Sequence, residues 1–147
     1  MTSGANEIVI NKATPSDING IKKIADAHRK ELGFVRRPSL LESINRAEVF
    51  VARQNGNIIG FVEYHHRKDE QTTLYNIAIE PAYRNTGVAR NLIKQLIQES
   101  KERQKTRILL KCPNDLAANS FYEKFGFELY QVEPGKKRKL NIWQWLI

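Results

Sequence analysis

Residues 76–96 read NIAIEPAYRNTGVARNLIKQL. A short apolar run, Ile77, Ala78 and Ile79, stops at Glu80 and Pro81. Proline has no N–H to give to a neighbouring strand, so pairing must end there. A small polar turn follows, made of Arg84, Asn85, Thr86 and Gly87. Val88, Leu92 and Leu96 then recur at helical spacing, with Ala89, Ile93 and Ile97 beside them, which predicts an amphipathic helix. Strand, glycine turn and helix start together present free backbone N–H groups to an anion. Gly87 can take a positive φ or let a ligand close to the backbone. Ala89 is small, and Arg84 and Arg90 add positive charge. The turn lacks the Gly-Lys-Ser/Thr of a Walker loop. It has one glycine where a dinucleotide fingerprint needs three.

Working outward, the 147 residues suit one domain over residues 1–147 with one core. No apolar run approaches the roughly 20 residues that span a bilayer, so no membrane partner is expected. The first residues, MTSGANEIV, have neither the basic patch nor the apolar centre of a signal peptide, and a cytoplasmic place is expected. Cys112 is the single cysteine, which excludes an internal disulfide and a cysteine zinc site. The net charge of +8 draws anions in general, whether nucleic acid, a membrane surface or a phosphorylated cofactor.

Upstream, residues 1–6 read as a flexible lead and 7–11 as a β-branched strand. Thr14, Pro15 and Asp17 predict a capped helix start, with Ile18, Ile21 and Ile24 as its apolar stripe. His28, Arg29 and Lys30 near its end suit the helix dipole and read as structural. Arg36, Arg37 and Pro38 read as a connection, with Ser39 and Glu42 as a second capping box. Three antiparallel strands should follow at 49–52, 58–66 and 72–79, the first two joined at Asn55-Gly56. Downstream, 107–111 is a buried strand. With the strand before the helix it should form a βαβ unit and pair in parallel. Cys112 and Pro113 begin an exit turn, Asp115 can cap a helix over 116–124, and Gly126 ends it. A strand at 127–131, a basic loop around 136–139 and a last strand at 140–147 complete the chain. That last strand should pair with the preceding one and close the sheet.

The stretch 119–127, NSFYEKFGF, places an aromatic-tyrosine pair on that helix before Gly-Phe. With the Arg-x-x-Gly-x-Ala of 84–89, it resembles the two motifs of the GNAT superfamily, the acetyl-CoA-dependent N-acetyltransferases. The motifs stand in the family's order and the resemblance covers roughly residues 49–130. It implies an α/β (α+β) fold, a mixed and mostly antiparallel sheet with helices on both faces. It also implies acetyl-CoA as co-substrate and transfer of its acetyl group to a primary amine by direct attack in a ternary complex. The pyrophosphate would lie on Arg84, Asn85, Thr86, Gly87, Val88, Ala89 and Arg90. The pantetheine arm would lie along Ile77, Ala78 and Ile79, where strands of the family splay at a bulge. Asn119 resembles the helix residue that touches the CoA arm. Tyr122 resembles the general acid that protonates the leaving thiolate, and the segment 32–41 a wall of the acceptor pocket.

The chemistry fits these residue types. A thioester is already reactive, so alignment supplies much of the rate, and the tetrahedral intermediate wants a donor for its oxyanion. A phenol of pKa about 10 stays protonated at neutral pH and can give its proton to a thiolate. An amine near that pKa must first lose a proton. Glu63, His65, His66 and Asn76 are the candidates for that base, with water as an alternative, and Glu63 is the residue chosen. Adjacent histidines on a strand point to opposite faces and make a poor metal pair, so no metal is expected. The acceptor is a small-molecule amine or a protein amine, and a homodimer is left open. Two other readings are a non-catalytic acyl-CoA-binding regulatory module and a nucleic-acid-binding protein. The second would use the basic run 136–139 near Trp143 and Trp145, which we read instead as a solvated loop.

Overall fold

The computed structural model describes residues 7–147, and the reading of 1–6 as a flexible lead lies outside the described residues. Seven strands form one sheet in the order β1-β2-β3-β4-β5-β7-β6. They are β1 (Ile8–Lys12), β2 (Val49–Gln54), β3 (Asn57–His66), β4 (Gln71–Ile79), β5 (Arg107–Pro113), β6 (Glu128–Glu133) and β7 (Leu140–Leu146). Helices α1 (Ile18–Ala27), one-turn α2 (Arg29–Leu32) and α3 (Arg37–Asn45) separate β1 from β2. Helix α4 (Val88–Glu102) links β4 to β5, and α5 (Ala118–Phe125) links β5 to β6. Only β4 and β5 pair in parallel, because α4 carries the chain back to the same end. The other neighbours are antiparallel.

Both faces are covered. On one, Leu92, Ile93 and Leu96 of α4 pack with Tyr122 of α5 on Tyr64, Ile108 and Trp143 of the sheet. On the other, Ile21 and Ile24 of α1 pack with Leu40 and Ile44 of α3 on Val49, Val51 and Phe61. The expected start of α1 is present, since the Thr14 N–H donates to the Asp17 carboxylate at 2.8 Å, but its first turn, Pro15–Asp17, is a 3-10 turn. The β2–β3 turn puts Asn55 and Gly56 at φ 54° and 80°, the pairing a tight hairpin requires.

Four expectations need correction. Helix α3 begins at Arg37, with Pro38 inside its first turn, so Ser39 is an interior residue and not a cap; proline's fixed φ is already helical and sets the start earlier. Cys112 and Pro113 remain in β5, paired with Asn141 and Leu140 of β7. Asp115 does not cap α5; it pairs with Arg138 at 3.1 Å. The Asn119 amide takes over that turn by donating to the Pro113 and Leu116 carbonyls, both at 2.8 Å. Finally, β7 lies between β5 and β6, so β6 and not the last strand forms the sheet edge.

At one end of the sheet a half-buried polar cluster ties α4 to β1 and β3. Glu99 receives Lys12 Nζ at 2.5 Å, the Tyr64 hydroxyl at 2.6 Å and His66 Nε2 at 2.9 Å. Burial pushes the Glu99 carboxyl up, but hydrogen bonds from His66, Lys12 and Tyr64 outweigh it and bring it from 4.5 to about 2. A carboxyl with a lowered pKa stabilises the fold above its unfolded value, and that contribution is lost as pH falls toward the folded one. Glu99→Gln should therefore lower stability at pH 7 by roughly 3 kcal/mol. It should also flatten the acid loss of stability between pH 4.5 and about 2. Urea unfolding at several pH values checks this; parallel losses in both proteins over that window would assign the acid limb to other groups.

Candidate active site

The site begins where β4 and β5 part. Their pairing runs from Gln71↔Arg107 to Leu74↔Leu110 and goes no further. On its other side β4 stays with β3, but the register jumps from Tyr64↔Leu74 to Glu63↔Asn76. Tyr75 is the extra residue of a β-bulge, and bulges bend the strand that carries them. The Glu80 N–H donates back to the Ile59 carbonyl at 2.8 Å. Backbone groups alternate in direction along a strand. Ala78 thus faces β3 with Glu80, while the N–H and C=O of Ile77 and Ile79 face the gap that β5 has left.

The gap leads to the glycine turn. A 3-10 turn, Pro81–Tyr83, is followed by Asn85 at φ 62° and by Gly87, which stands before α4 at φ 88°, ψ 2°. That is left-handed backbone, where glycine is at ease. Arg84, Asn85, Thr86, Gly87 and Arg90 are exposed, Ala89 is half-buried, and Val88 is buried against the core. The first N–H groups of α4 have no helical acceptor, so the turn is open to an anion. His28 has a part here that its sequence position did not disclose. It is buried at the end of α1, with Nδ1 2.8 Å from the Ile24 carbonyl. A carbonyl can only accept, so Nδ1 carries the proton, and Nε2 accepts from Arg84 at 3.3 Å. His28 therefore orients an arginine of the turn; the contact spans 56 positions, which no local pattern signals.

Tyr122 and Cys112 lie on the far side of the gap. Tyr122 is buried against Phe121 and Phe127, and its hydroxyl makes no hydrogen bond among the described residues. Burial, with Cys112 beside it, raises its pKa above the ordinary phenol value. The Cys112 thiol is pushed up to about 11, also by burial. Both groups hold their protons at neutral pH. Asn119 is fully occupied within the chain. Besides its two donated bonds, its carbonyl accepts from Asn141 at 3.0 Å and from the Trp143 indole at 2.9 Å. It fixes the β5–α5 turn and has no spare donor.

On the α3 side of β4, a cavity of about 420 Å³ contains Glu63, Ser43, Asn76 and Tyr75, with Phe34, Val35 and Arg36 from the α2–α3 connection. The Glu63 carboxylate is buried in its wall, receiving the Ser43 hydroxyl at 2.7 Å and the Asn76 amide at 2.8 Å. His65 pairs with Glu48 at 2.8 Å and stacks on Tyr75. His66 is held between Thr72 and Glu99 in the opposite core. Of the expected bases, then, Glu63 and Asn76 line this cavity and the two histidines do not. A larger cavity of about 660 Å³ lies between α1 and the β2–β3 hairpin and touches Glu80, Pro81 and Tyr83. Its lining includes neither Tyr75 nor Asn76 of the β4 bulge, both of which line the smaller one. Among the described residues no group of three His, Cys, Asp or Glu side chains could hold a metal ion, and no helix is long and apolar enough to cross a membrane.

The acetyltransferase (GNAT) family matches residues 21–127, which include the gap, the glycine turn and Tyr122. The chain belongs to this family. It is 38% identical over 74 residues to the ribosomal protein bS18-alanine N-acetyltransferase of Haemophilus influenzae, 50% of each chain. It thus spans about half the length of the curated relatives it matches. Among solved structures, Ard1 from Thermoplasma volcanium superposes with a TM-score of 0.86 at 18% identity, over 95% of this chain and 97% of that one. The structure of yncA from Salmonella typhimurium, solved with its cofactor acetyl-CoA, gives 0.80 at 20%, over 95% and 94%. At these identities the likeness is one of fold.

The backbone at Gly87 can be tested apart from any ligand. A Cβ there would meet nothing within 4 Å, so the penalty of Gly87→Ala is that of left-handed backbone alone. It should lower stability by roughly 1–2 kcal/mol in urea unfolding. An unchanged midpoint would show that the turn relaxes freely.

Proposed function

We propose that the protein transfers the acetyl group of acetyl-CoA to the amine of a protein N-terminus. The observation that carries this reading is the gap between β4 and β5, with the free backbone of Ile77 and Ile79 along it and the Gly87 turn at its end. Pyrophosphate is anionic and suits the turn with Arg84 and Arg90. The pantetheine arm carries two amides and suits an unpaired strand edge. The family membership and the acetyl-CoA bound in the Salmonella structure support the cofactor. The name of the Haemophilus relative supports the acceptor: an alanine in a protein has a free amine only at the N-terminus.

The mechanism follows from the two sides of the gap. Glu63 takes a proton from the incoming ammonium, directly or through water. The neutral nitrogen attacks the thioester carbonyl, with an N–H of the β4 edge, such as that of Ile77, facing the oxygen that gains charge. A C–N bond forms and the C–S bond breaks. Tyr122 gives its proton to the departing thiolate, and the nitrogen, which carries one proton too many after its attack, returns a proton to the Tyr122 phenolate directly or through water, so that free CoA, the neutral N-acetyl product and the phenol result. Asn119 serves as a positioning residue, holding the turn that leads into α5.

A panel of amines and short peptides with acetyl-CoA, read by free thiol, tests the activity. Cofactor binding without thiol release over the whole panel would favour a regulatory acyl-CoA binder. Tyr122→Phe keeps the ring and its packing and removes only the proton donor. It should lower kcat on the order of 100- to 10,000-fold, with CoA affinity little changed. Wild-type kcat in the variant, when chemistry limits the rate, would make Tyr122 packing alone.

A further inference from the structure

The rim of the Glu63 cavity carries positive charge, opposite in sign to the carboxylate in its wall. Between Arg29 and Arg46 the chain has five cations, Arg29, Lys30, Arg36, Arg37 and Arg46, against two acids, Glu31 and Glu42. Two of these cations, Arg36 and Arg46, line the cavity, as does one of the acids, Glu42. Arg36 is exposed, and its guanidinium has no partner among the described residues. Arg46 meets Glu42 only at 3.7 Å, with both side chains more than half exposed. At this separation and exposure the pair contributes little and does not hold the arginine from another anion.

A second basic segment stands across the gap. Leu74 is level with Leu110, so Asn76 and Ile77, beyond the bulge, are about level with Cys112 and Pro113. Pro113 pairs with Leu140 of β7, and the Asn114 N–H holds the Lys139 carbonyl at 2.9 Å. The loop 136–139 is thereby fixed at the open end of the gap. Arg138 is engaged by Asp115. The ammonium groups of Lys136, Lys137 and Lys139 are exposed and make no hydrogen bond or ion pair among the described residues. The open end of the gap thus has exposed lysines without partners on its β5 side, while the cavity beside β4 has arginines at its rim and a buried carboxylate inside. Phe34 at 66% and Tyr75 at 46% exposure add aromatic surface at the same rim.

We infer that the acceptor is a peptide N-terminus followed by acidic residues, its amine drawn to Glu63 and its carboxylates to Arg36, Arg46 and the 136–139 loop. This rests on the acetyl-transfer reading above. The solvated loop of the sequence reading is then solvated until an acidic acceptor arrives. An acceptor with a basic segment would meet like charge at the cavity rim and at the loop. The cations stand on two separate segments, which carboxylates spaced along a chain suit better than the two closely spaced carboxylates of a free acidic amino acid, and this is why a peptide is favoured.

The test is a competition of kcat/KM values, read by free thiol with acetyl-CoA. The acceptors are Ala-Glu-Glu and Ala-Lys-Lys peptides of equal length, with free aspartate and glutamate beside them. Wild-type protein should prefer the acidic peptide by roughly tenfold at low salt, with the preference shrinking as salt rises. Arg36→Glu with Arg46→Glu should reverse the order, and Arg36→Gln with Arg46→Gln should bring the ratio toward one. Both residues are exposed, so the variants should fold. Equal or reversed rates for the wild type would overturn the inference while leaving acetyl transfer in place. Free acidic amino acids consumed as well as the peptide would overturn the peptide class. No thiol release with any acceptor would remove the acetyl-transfer reading and this inference with it.

Discussion

The site depends on one break in pairing, the parting of β4 from β5 after Leu74 and Leu110. A central strand ordinarily has both edges occupied, because an unpaired buried N–H or C=O is unfavourable. Here β4 keeps β3 through the bulge at Tyr75 and gives up β5. In the proposed function the groups of Ile77 and Ile79 serve a ligand that can offer a donor and an acceptor in turn. A strand with both edges satisfied could not serve such a ligand.

The rest of the fold holds that gap open. Helix α4 bridges the two strands that part, and Val88, Leu92, Ile93 and Leu96 seat it in one core. Glu99 fastens its C-terminal half to Lys12, Tyr64 and His66 at the closed end of the sheet. With that end anchored, the N-terminus of α4 and the Gly87 turn stay at the open end. On the other side Asn119, with four hydrogen bonds, fixes the β5–α5 turn and with it the start of the helix that carries Tyr122. The contacts that stabilise the domain also orient the groups around the gap.

Much of this was legible from residues alone. The apolar stripe of α4, the Asn55-Gly56 hairpin, the proline stop after Ile79 and the parallel pairing across α4 are local or nearly local patterns, and the structure contains all four. What could not be read depends on contacts between distant positions. The Tyr75 bulge appears only when the β3–β4 register is known. Asp115 resembled a cap, yet Arg138 claims it, and the turn is held instead by the Asn119 amide donating to the Pro113 and Leu116 carbonyls. His28 resembled a dipole-matched helix end, and its ring proves to bridge the Ile24 carbonyl and Arg84. The three candidate bases of β3 cannot be placed relative to one another by residue type: Glu63 meets Ser43 in a cavity wall, while His65 and His66 meet Glu48 and Glu99 elsewhere. The insertion of β7 between β5 and β6 is a choice of neighbour that strand patterns do not encode.

The most direct measurement of the central claim is amide hydrogen exchange along β4, residue by residue, with and without CoA. The account predicts that CoA strongly slows exchange at Ile77 and Ile79, whose N–H groups face the gap. Ala78, already turned toward β3, should change little. Slowing at the Gly87 turn should accompany it. If CoA binds and the exchange of Ile77 and Ile79 is unaltered, the gap between β4 and β5 is not the cofactor slot.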